Sequence, residues 1–372
     1  MSQSILKFNT PLSFNECMGV IDNFADETSI LIEGTPGTGK SSLLPALAEF
    51  YGDEWRKPGD YFPNDKYTYV YVDCGALDHG DITMRVPVHA TKSQEQYTSA
   101  LFAMEDKRPK VIMFDERGKM PKSMQPTVTR ADLERMLGDV PFPAGSKVFS
   151  TTNYASDGVG DILPAHSMDR LMLIEMRNPT QTEWCAWAST KGLDSRLIAA
   201  AAMNARFFES YKDGDHAQDN PYIFHPRKNA RTFLTMRSLA KCSPVFALSN
   251  KVGEKVTRAA LAGLVGVAAA EKLASILAVQ GDAVSPDEIF TNPSAATPRG
   301  IAALYLTMFN ALEKVTTQDE LSALTDFMQR TKSVEMESVY FTVVMRNKRL
   351  AAMGNRNNKI RQWAQANLDM LV

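Results

Sequence analysis

Gly34-Thr35-Pro36-Gly37-Thr38-Gly39-Lys40-Ser41 satisfies G-x-x-x-x-G-K-[ST] at every constrained position. Backbone N–H groups reach phosphate oxygens only where the chain turns tightly without intervening Cβ atoms. Gly34, Gly37 and Gly39 permit that turn. A helix starting at this point offers its positive N-terminus to the anion. Lys40 supplies a mobile cation for the β- and γ-phosphates of ATP. The Ser41 hydroxyl supplies a hard ligand for Mg²⁺, and Ser42 completes the binding segment. A chance glycine-rich turn is the plain alternative, but apolar Ile30-Leu31-Ile32 precedes the pattern and helical spacing follows it. Pro45 falls beyond the first turn of that expected helix, where a missing N–H predicts a kink or lost stability.

Val111-Ile112-Met113-Phe114 runs directly into Asp115 and Glu116. In an open parallel sheet, ligands gather beyond the carboxyl ends of the strands, so these acids are expected to face the phosphate loop. Asp115 then holds Mg²⁺ through its water shell, and Glu116 polarises the water that attacks the γ-phosphate. The bland reading is a solvated strand end; the phosphate loop upstream weighs against it. A second carboxylate has no substrate hydroxyl to serve, which favours hydrolysis over transfer. Thr151-Thr152-Asn153 ends another apolar run. Asn153 could orient water against phosphate, with a turn asparagine as the alternative.

Positioning these groups requires a particular set of elements. Short apolar runs at 29–32, 67–72, 111–114, 147–151 and 171–176 read as strands buried on both faces. Helical patterns at 41–50, 93–103 and 130–136 lie between them, as a parallel sheet wrapped by helices demands. Residues 82–88 read as a short β-hairpin insertion. After Asn178-Pro179 the texture becomes rich in alanine and methionine with helical spacing, and Pro179 marks a boundary. Residues 212–226 read as a loop, and prolines 286, 293 and 298 mark a second break. Helices are expected at 301–315 and 318–329, followed by a basic amphipathic run. The expected division is 1–179, 180–285 and 286–372.

Composition narrows the class. Among 372 residues, 41 Lys+Arg against 43 Asp+Glu leave a formal net charge of −2, so no global positive field advertises nucleic acid. The 44% hydrophobic and 23% charged shares exclude a collagenous or low-complexity chain. Cys17, Cys74, Cys185 and Cys242 form no C-x-x-C pair, which suits reduced thiols and offers no zinc site. His79, His89 and His166 match no common metal spacing. Residues 1–10 lack the pattern of a signal peptide. The most lipid-like stretch, 259–270, meets Glu271 and Lys272 well short of the about 20 apolar residues a span needs. It reads as a buried small-residue helix. The expectation is a soluble protein without membrane contact, in the cytoplasm of its cell, or of a host if the chain is viral.

The order of motifs resembles the AAA+ ATPases, and within them the MoxR-like, dynein-related branch. The resemblance runs through the phosphate loop, Leu77-Asp78-His79-Gly80-Asp81, Phe114-Asp115-Glu116, Thr152-Asn153, Ala155-Ser156-Asp157-Gly158 and Leu163-Pro164-Ala165-His166-Ser167-Met168-Asp169-Arg170-Leu171. Weaker similarity continues through Phe233-Leu234-Thr235-Met236-Arg237-Ser238. The resemblance implies an α/β fold: a P-loop three-layer αβα core with a parallel five-stranded sheet, an α-helical lid and a helical C-terminal region. It also implies that Arg170 reaches the nucleotide of a neighbouring subunit, where a guanidinium stabilises charge developing on the phosphoryl oxygens. A surface ion pair with Asp169 is the alternative for Arg170. Arg237 fits the lid sensor, and Arg227, after Pro226, competes for that role. Met236 stands where many relatives have proline.

The resemblance further implies a ring homo-oligomer, a hexamer by the family's pattern. Its implied role is chaperone-like remodelling of a protein partner, with a von Willebrand factor A domain protein as client or adaptor. Two other functions are alternatives for the same sequence. A nucleic-acid motor would use the basic run Arg346, Lys348, Arg349, Arg356, Lys359 and Arg361 with Trp363, although a solvated face or subunit contact also explains that run. A nucleotide-gated scaffold with little turnover would have no need of Lys40, Asp115, Glu116 and Arg170 together.

Overall fold

The computed structural model describes residues 10–53, 65–78, 80–157, 168–228, 230–292 and 294–367. His79, Gly158, Pro293 and residues 163–167, including His166, therefore lie outside the described residues. The chain divides into two compact units, residues 1–177 and 178–372.

The first unit contains β1 (Ile30–Glu33), β2 (Thr68–Asp73), β3 (Thr83–Val88), β4 (Ser93–Thr98), β5 (Lys110–Asp115), β6 (Met136–Leu137), β7 (Val140–Pro141), β8 (Lys147–Thr152) and β9 (Met172–Glu175). Five of these form a sheet in the order β2-β5-β8-β1-β9, with every pairing parallel. Every residue of β5 and β8 is buried, as continuous apolar runs in the middle of a parallel sheet should be. Alternation along β5 divides the core. Val111 and Met113 join Phe149, Ile30, Ile32 and the helices Phe14–Phe24 and Leu43–Tyr51. Ile112 and Phe114 join Val70, Val72, Val148 and Val128 of the helix Gln125–Glu134. Helices thus cover both faces, giving the expected three-layer αβα core. Leu12 extends the sheet beyond β9, donating to Glu175 and accepting from Arg177 (2.8 and 2.9 Å).

Three local expectations change. Residues 93–103 are not a helix but β4 followed by a 3₁₀ turn, Ala100–Phe102. Their period is two, and Met84–Tyr97, Arg85–Gln96 and Val86–Glu95 pair across the hairpin that residues 82–88 begin. Pro45 introduces no kink. A 3₁₀ turn, Lys40–Ser42, comes first, so Pro45 occupies the third position of the helix Leu43–Tyr51. N–H groups there have no intrahelical acceptor anyway. The small-residue stretch 259–270 is broken at Gly266 into the helices Glu254–Val265 and Val267–Ala274. Gly266 has φ 83°, and a Cβ there would stand 2.9 Å from the Thr232 carbonyl oxygen.

The second unit is helical. One continuous apolar core runs from Trp184 in the helix Gln181–Thr190 to Ile360 in the helix Asn358–Ala366. The helix Ser195–Ala202 is buried at Leu197 to Ala202. Capping boxes at Thr180, Thr235 and Thr317 start three of the helices. The expected loop at 212–226 contains the short helix Asp215–Gln218. No helix among the described residues is long and apolar enough to cross a membrane.

Candidate functional site

Sheet order decides which residues meet. β1 lies between β8 and β9, with Glu33 level with Thr152 on one side and Glu175 on the other. The chain leaving β1 therefore emerges beside the end of β8. Gly34 N–H donates to the Thr152 carbonyl at 3.3 Å. Gly37 and Gly39 have φ of 78° and 112°, backbone that L side chains rarely adopt. Gly34 is required for a different reason than turning: a Cβ there would stand 2.8 Å from the Met176 carbonyl oxygen. Thr38 is buried, with its hydroxyl donating to the Thr35 carbonyl. Lys40, 7% exposed, donates to the carbonyls of Gly34 (2.8 Å) and Thr35 (2.9 Å) and to Asn153 Oδ1 (3.0 Å). The phosphate-loop lysine and the asparagine 113 positions later are thus in direct contact. Ser41 is partly exposed and Ser42 exposed beyond them, with Ser42 N–H donating to the Gly39 carbonyl at 2.8 Å.

Asp115 closes β5 and is buried. Its carboxylate accepts from Tyr71 Oη at 2.9 Å, from its neighbour Glu116 N–H at 3.1 Å and from the Thr151 hydroxyl. Three donors against about four lone-pair sites leave acceptor capacity on the carboxylate. Burial, then the adjacent Asp115 charge, raises the Tyr71 phenol well above its ordinary value, so it remains a donor. Glu116 is partly exposed and pairs with Lys119 (2.6 Å). The sequence reading did not find Tyr71, Thr151 or Lys119. Thr151 stands one step beyond the Phe114–Ser150 register pair, so only strand order makes it the neighbour of Asp115.

Arg170 is exposed and makes no ion pair with Asp169 among the described residues. It lines a groove of about 400 Å³ along the helix Gln125–Glu134, together with Lys122, Thr129 and Arg130. Arg237 is exposed in the helix Met236–Ala240 of the second unit. Arg227, also exposed, uses its N–H on His225 Nδ1 at 3.1 Å. The basic C-terminal run is partly engaged internally: Arg349 donates to the Val315 carbonyl and Lys359 pairs with Asp326 (2.8 Å). Trp363 stacks on Phe341 at 5.0 Å.

No family model matches this chain, and no curated protein matches it. Among solved structures it is similar to a Cytophaga hutchinsonii protein provisionally described as an ATPase: 20% identity, TM-score 0.28, 44% of this chain and 45% of that one. The chain thus spans less than half the length of that protein. It is also similar to NtrX from Brucella abortus in complex with ATP: 16% identity, TM-score 0.31, 72% and 68% coverage. A variant of RuvB from Thermotoga maritima has 15% identity, TM-score 0.39, and 83% and 86% coverage. At such values the chemistry of the site rests on its own side chains.

Those side chains fit a nucleotide with Mg²⁺. The positive φ of Gly37 and Gly39 shapes the turn whose backbone N–H groups would meet a phosphate, and Gly34 lets the chain enter that turn past Met176. Ser41 and Asp115 offer hard oxygen ligands, the donor set that Mg²⁺ prefers.

Proposed function

We propose that this chain is an AAA+ ATPase of the MoxR-like branch, hydrolysing ATP with Mg²⁺. The observation that carries this is the meeting of Lys40 Nζ with Asn153 Oδ1 at 3.0 Å, at the strand ends that also present Asp115 and Glu116. When bound, Mg²⁺ would neutralise charge on the phosphates, and Ser41 and Asp115 would hold it. Lys40 exchanges carbonyl partners for phosphate oxygens. Tyr71 and Thr151 keep the Asp115 carboxylate oriented by donating to it. Glu116 accepts a proton from the attacking water, and Asn153 orients that water. Arg170 is lent to the next protomer of a ring, and the exposure of its side chain leaves it available for that role. Arg237 is the lid sensor, with Arg227 as its competitor. Hydrolysis in the ring remodels a protein partner, for which a von Willebrand factor A domain protein is the proposed client.

The internal engagement of Arg349 and Lys359 favours this reading over a nucleic-acid motor. The test uses two variants. Glu116→Gln should bind ATP without hydrolysis, and Arg170→Ala should bind ATP without turnover. Mixing them should restore part of the turnover, because one subunit supplies the finger and the other the base. Mixed rings that never recover activity would remove the trans role of Arg170. A wild-type chain that binds no nucleotide would remove the whole reading.

A further inference from the structure

Arg117, directly after the two acids, turns into the protein and is only 1% exposed. Its guanidinium lies over the Phe114 ring, 5.6 Å from the centroid, and Nη2 donates to Asp132 Oδ2 at 2.8 Å. Asp132 belongs to the helix Gln125–Glu134 and is also buried; its carbonyl accepts from Ser29 Oγ at 3.0 Å. Arg135 bears electrostatically on the same carboxylate.

A buried ion pair is a poor source of stability, since removing two charges from water offsets most of their attraction. Here the fit is also incomplete. Arg117 Nε and Nη1 and Asp132 Oδ1 have no hydrogen-bond partner among the described residues. What the pair does determine is the path of the chain after Asp115. Glu116 has φ 54° and ψ 43°, a left-handed conformation that persists only where the surroundings over-determine it. On one side its N–H is held by Asp115 Oδ1 at 3.1 Å. On the other, the 3₁₀ turn Arg117–Lys119 closes with Lys119 N–H on the Glu116 carbonyl (2.8 Å) and Met120 N–H on the Arg117 carbonyl (3.2 Å). Arg117 is the buried anchor of that turn.

We propose that Arg117, tied to Asp132, is a positioning residue that holds Glu116 in its left-handed backbone conformation and so aims its carboxylate beyond the end of β5. The role of Glu116 rests on the ATPase reading above; the way it is held does not.

Arg117→Met keeps an unbranched, flexible stem without the cation and leaves Asp132 its neighbour Arg135, while Arg117→Lys restores a cation. In the full chain without nucleotide, amide hydrogen exchange at Lys119 and Met120 should rise about ten-fold in Arg117→Met. The amides of Met113 and Phe114 should stay as in wild type, with Arg117→Lys in between. With Mg·ATP, kcat should fall about ten-fold or more while KM stays within about three-fold, and Arg117→Lys should recover part of the loss. Unchanged exchange at Lys119 and Met120 overturns the positioning role. So does a loss in which exchange rises across the whole sheet and KM moves with kcat, because that describes a merely structural residue. If the wild type binds ATP without hydrolysing it, the ATPase reading fails and the exchange comparison alone decides. Should Arg117→Met not fold, Asp132→Asn keeps volume and removes charge. A rise of several-fold at the same two amides is then expected, and wild-type exchange there overturns the proposal.

Discussion

Gly34→Ala isolates one physical cause in the phosphate loop. Gly34 is absent from the left-handed region, so alanine meets no backbone strain there. The added Cβ would instead stand 2.8 Å from the Met176 carbonyl oxygen, with Met176 Cβ at 3.7 Å and Lys40 Cδ at 3.6 Å. Ordinary contact lies about half an ångström farther out, and the obstructing atom is backbone. That backbone has little freedom: Met176 N–H donates to Glu33 at 2.7 Å, and Leu12 and Arg177 hold the other side of the strand end. Overpacking of this kind costs about 1–3 kcal/mol. In a domain of this size each kcal/mol moves Tm by about 2–4 °C. The expected loss is therefore about 2–12 °C. ATP affinity should fall about ten-fold, because a displaced Gly34 backbone shifts the loop from which Lys40 reaches the phosphates. Gly19→Ala is the control. It lies in the helix Phe14–Phe24 with nothing within 4 Å of the added atom, and should gain about 0.5–1 kcal/mol. Thermal unfolding and titration with a fluorescent ATP analogue read both effects. If Gly34→Ala matches wild type in Tm and affinity while Gly19→Ala shows its gain, the close approach to Met176 does not constrain the loop and the reasoning fails.

Tyr71→Phe removes one donor from Asp115; the Mg²⁺ concentration for half-maximal nucleotide binding should rise about three- to ten-fold, read by Mg²⁺ titration at fixed ATP. Asp106 offers a pH test. Burial alone would raise its pKa, but hydrogen bonds from Arg108 and Thr68 outweigh that and hold the carboxyl well below the usual range. A depressed folded pKa gives stability that is fully present above about pH 4 and is lost as pH falls toward the folded value. Asp106→Asn should therefore cost about 1–2 kcal/mol at pH 7, and this difference should shrink below pH 4 in urea unfolding. A cost that is the same at both pH values contradicts the assignment. Burial first of all pushes the thiols of Cys17, Cys74 and Cys242 up to about 12. Iodoacetamide at pH 8 should leave them unlabelled in the folded chain under conditions that alkylate the urea-unfolded chain completely, as mass spectrometry would show.

The patterns legible in the chain were those whose cause is local. Apolar runs ending in Asp115 and Asn153 identified β5 and β8 to within a residue, because burial on both faces demands such runs. Gly37, Gly39 and Lys40 were legible because a turn around an anion restricts residue type at fixed spacing. The alternation at 93–103 acquires meaning only when residues 83–88 pair with residues 93–98. Pro45 is tolerated because a 3₁₀ turn shifts the helix start, which the spacing of residues 41–50 does not reveal.

By itself, then, the amino-acid order determined the five strands of the parallel sheet, the phosphate loop and the two acids at the end of β5, since each depends on neighbours a few bonds away. Only the tertiary structure decided that Tyr71 and Thr151 flank Asp115, that Lys40 meets Asn153, that Gly34 must yield to Met176, and that Arg117 is anchored to Asp132. Strand order and register bring Tyr71, Thr151 and Asp115 together, bring Lys40 to Asn153 and bring Gly34 to Met176, whereas the packing of the helix Gln125–Glu134 against the turn after β5 brings Asp132 to Arg117.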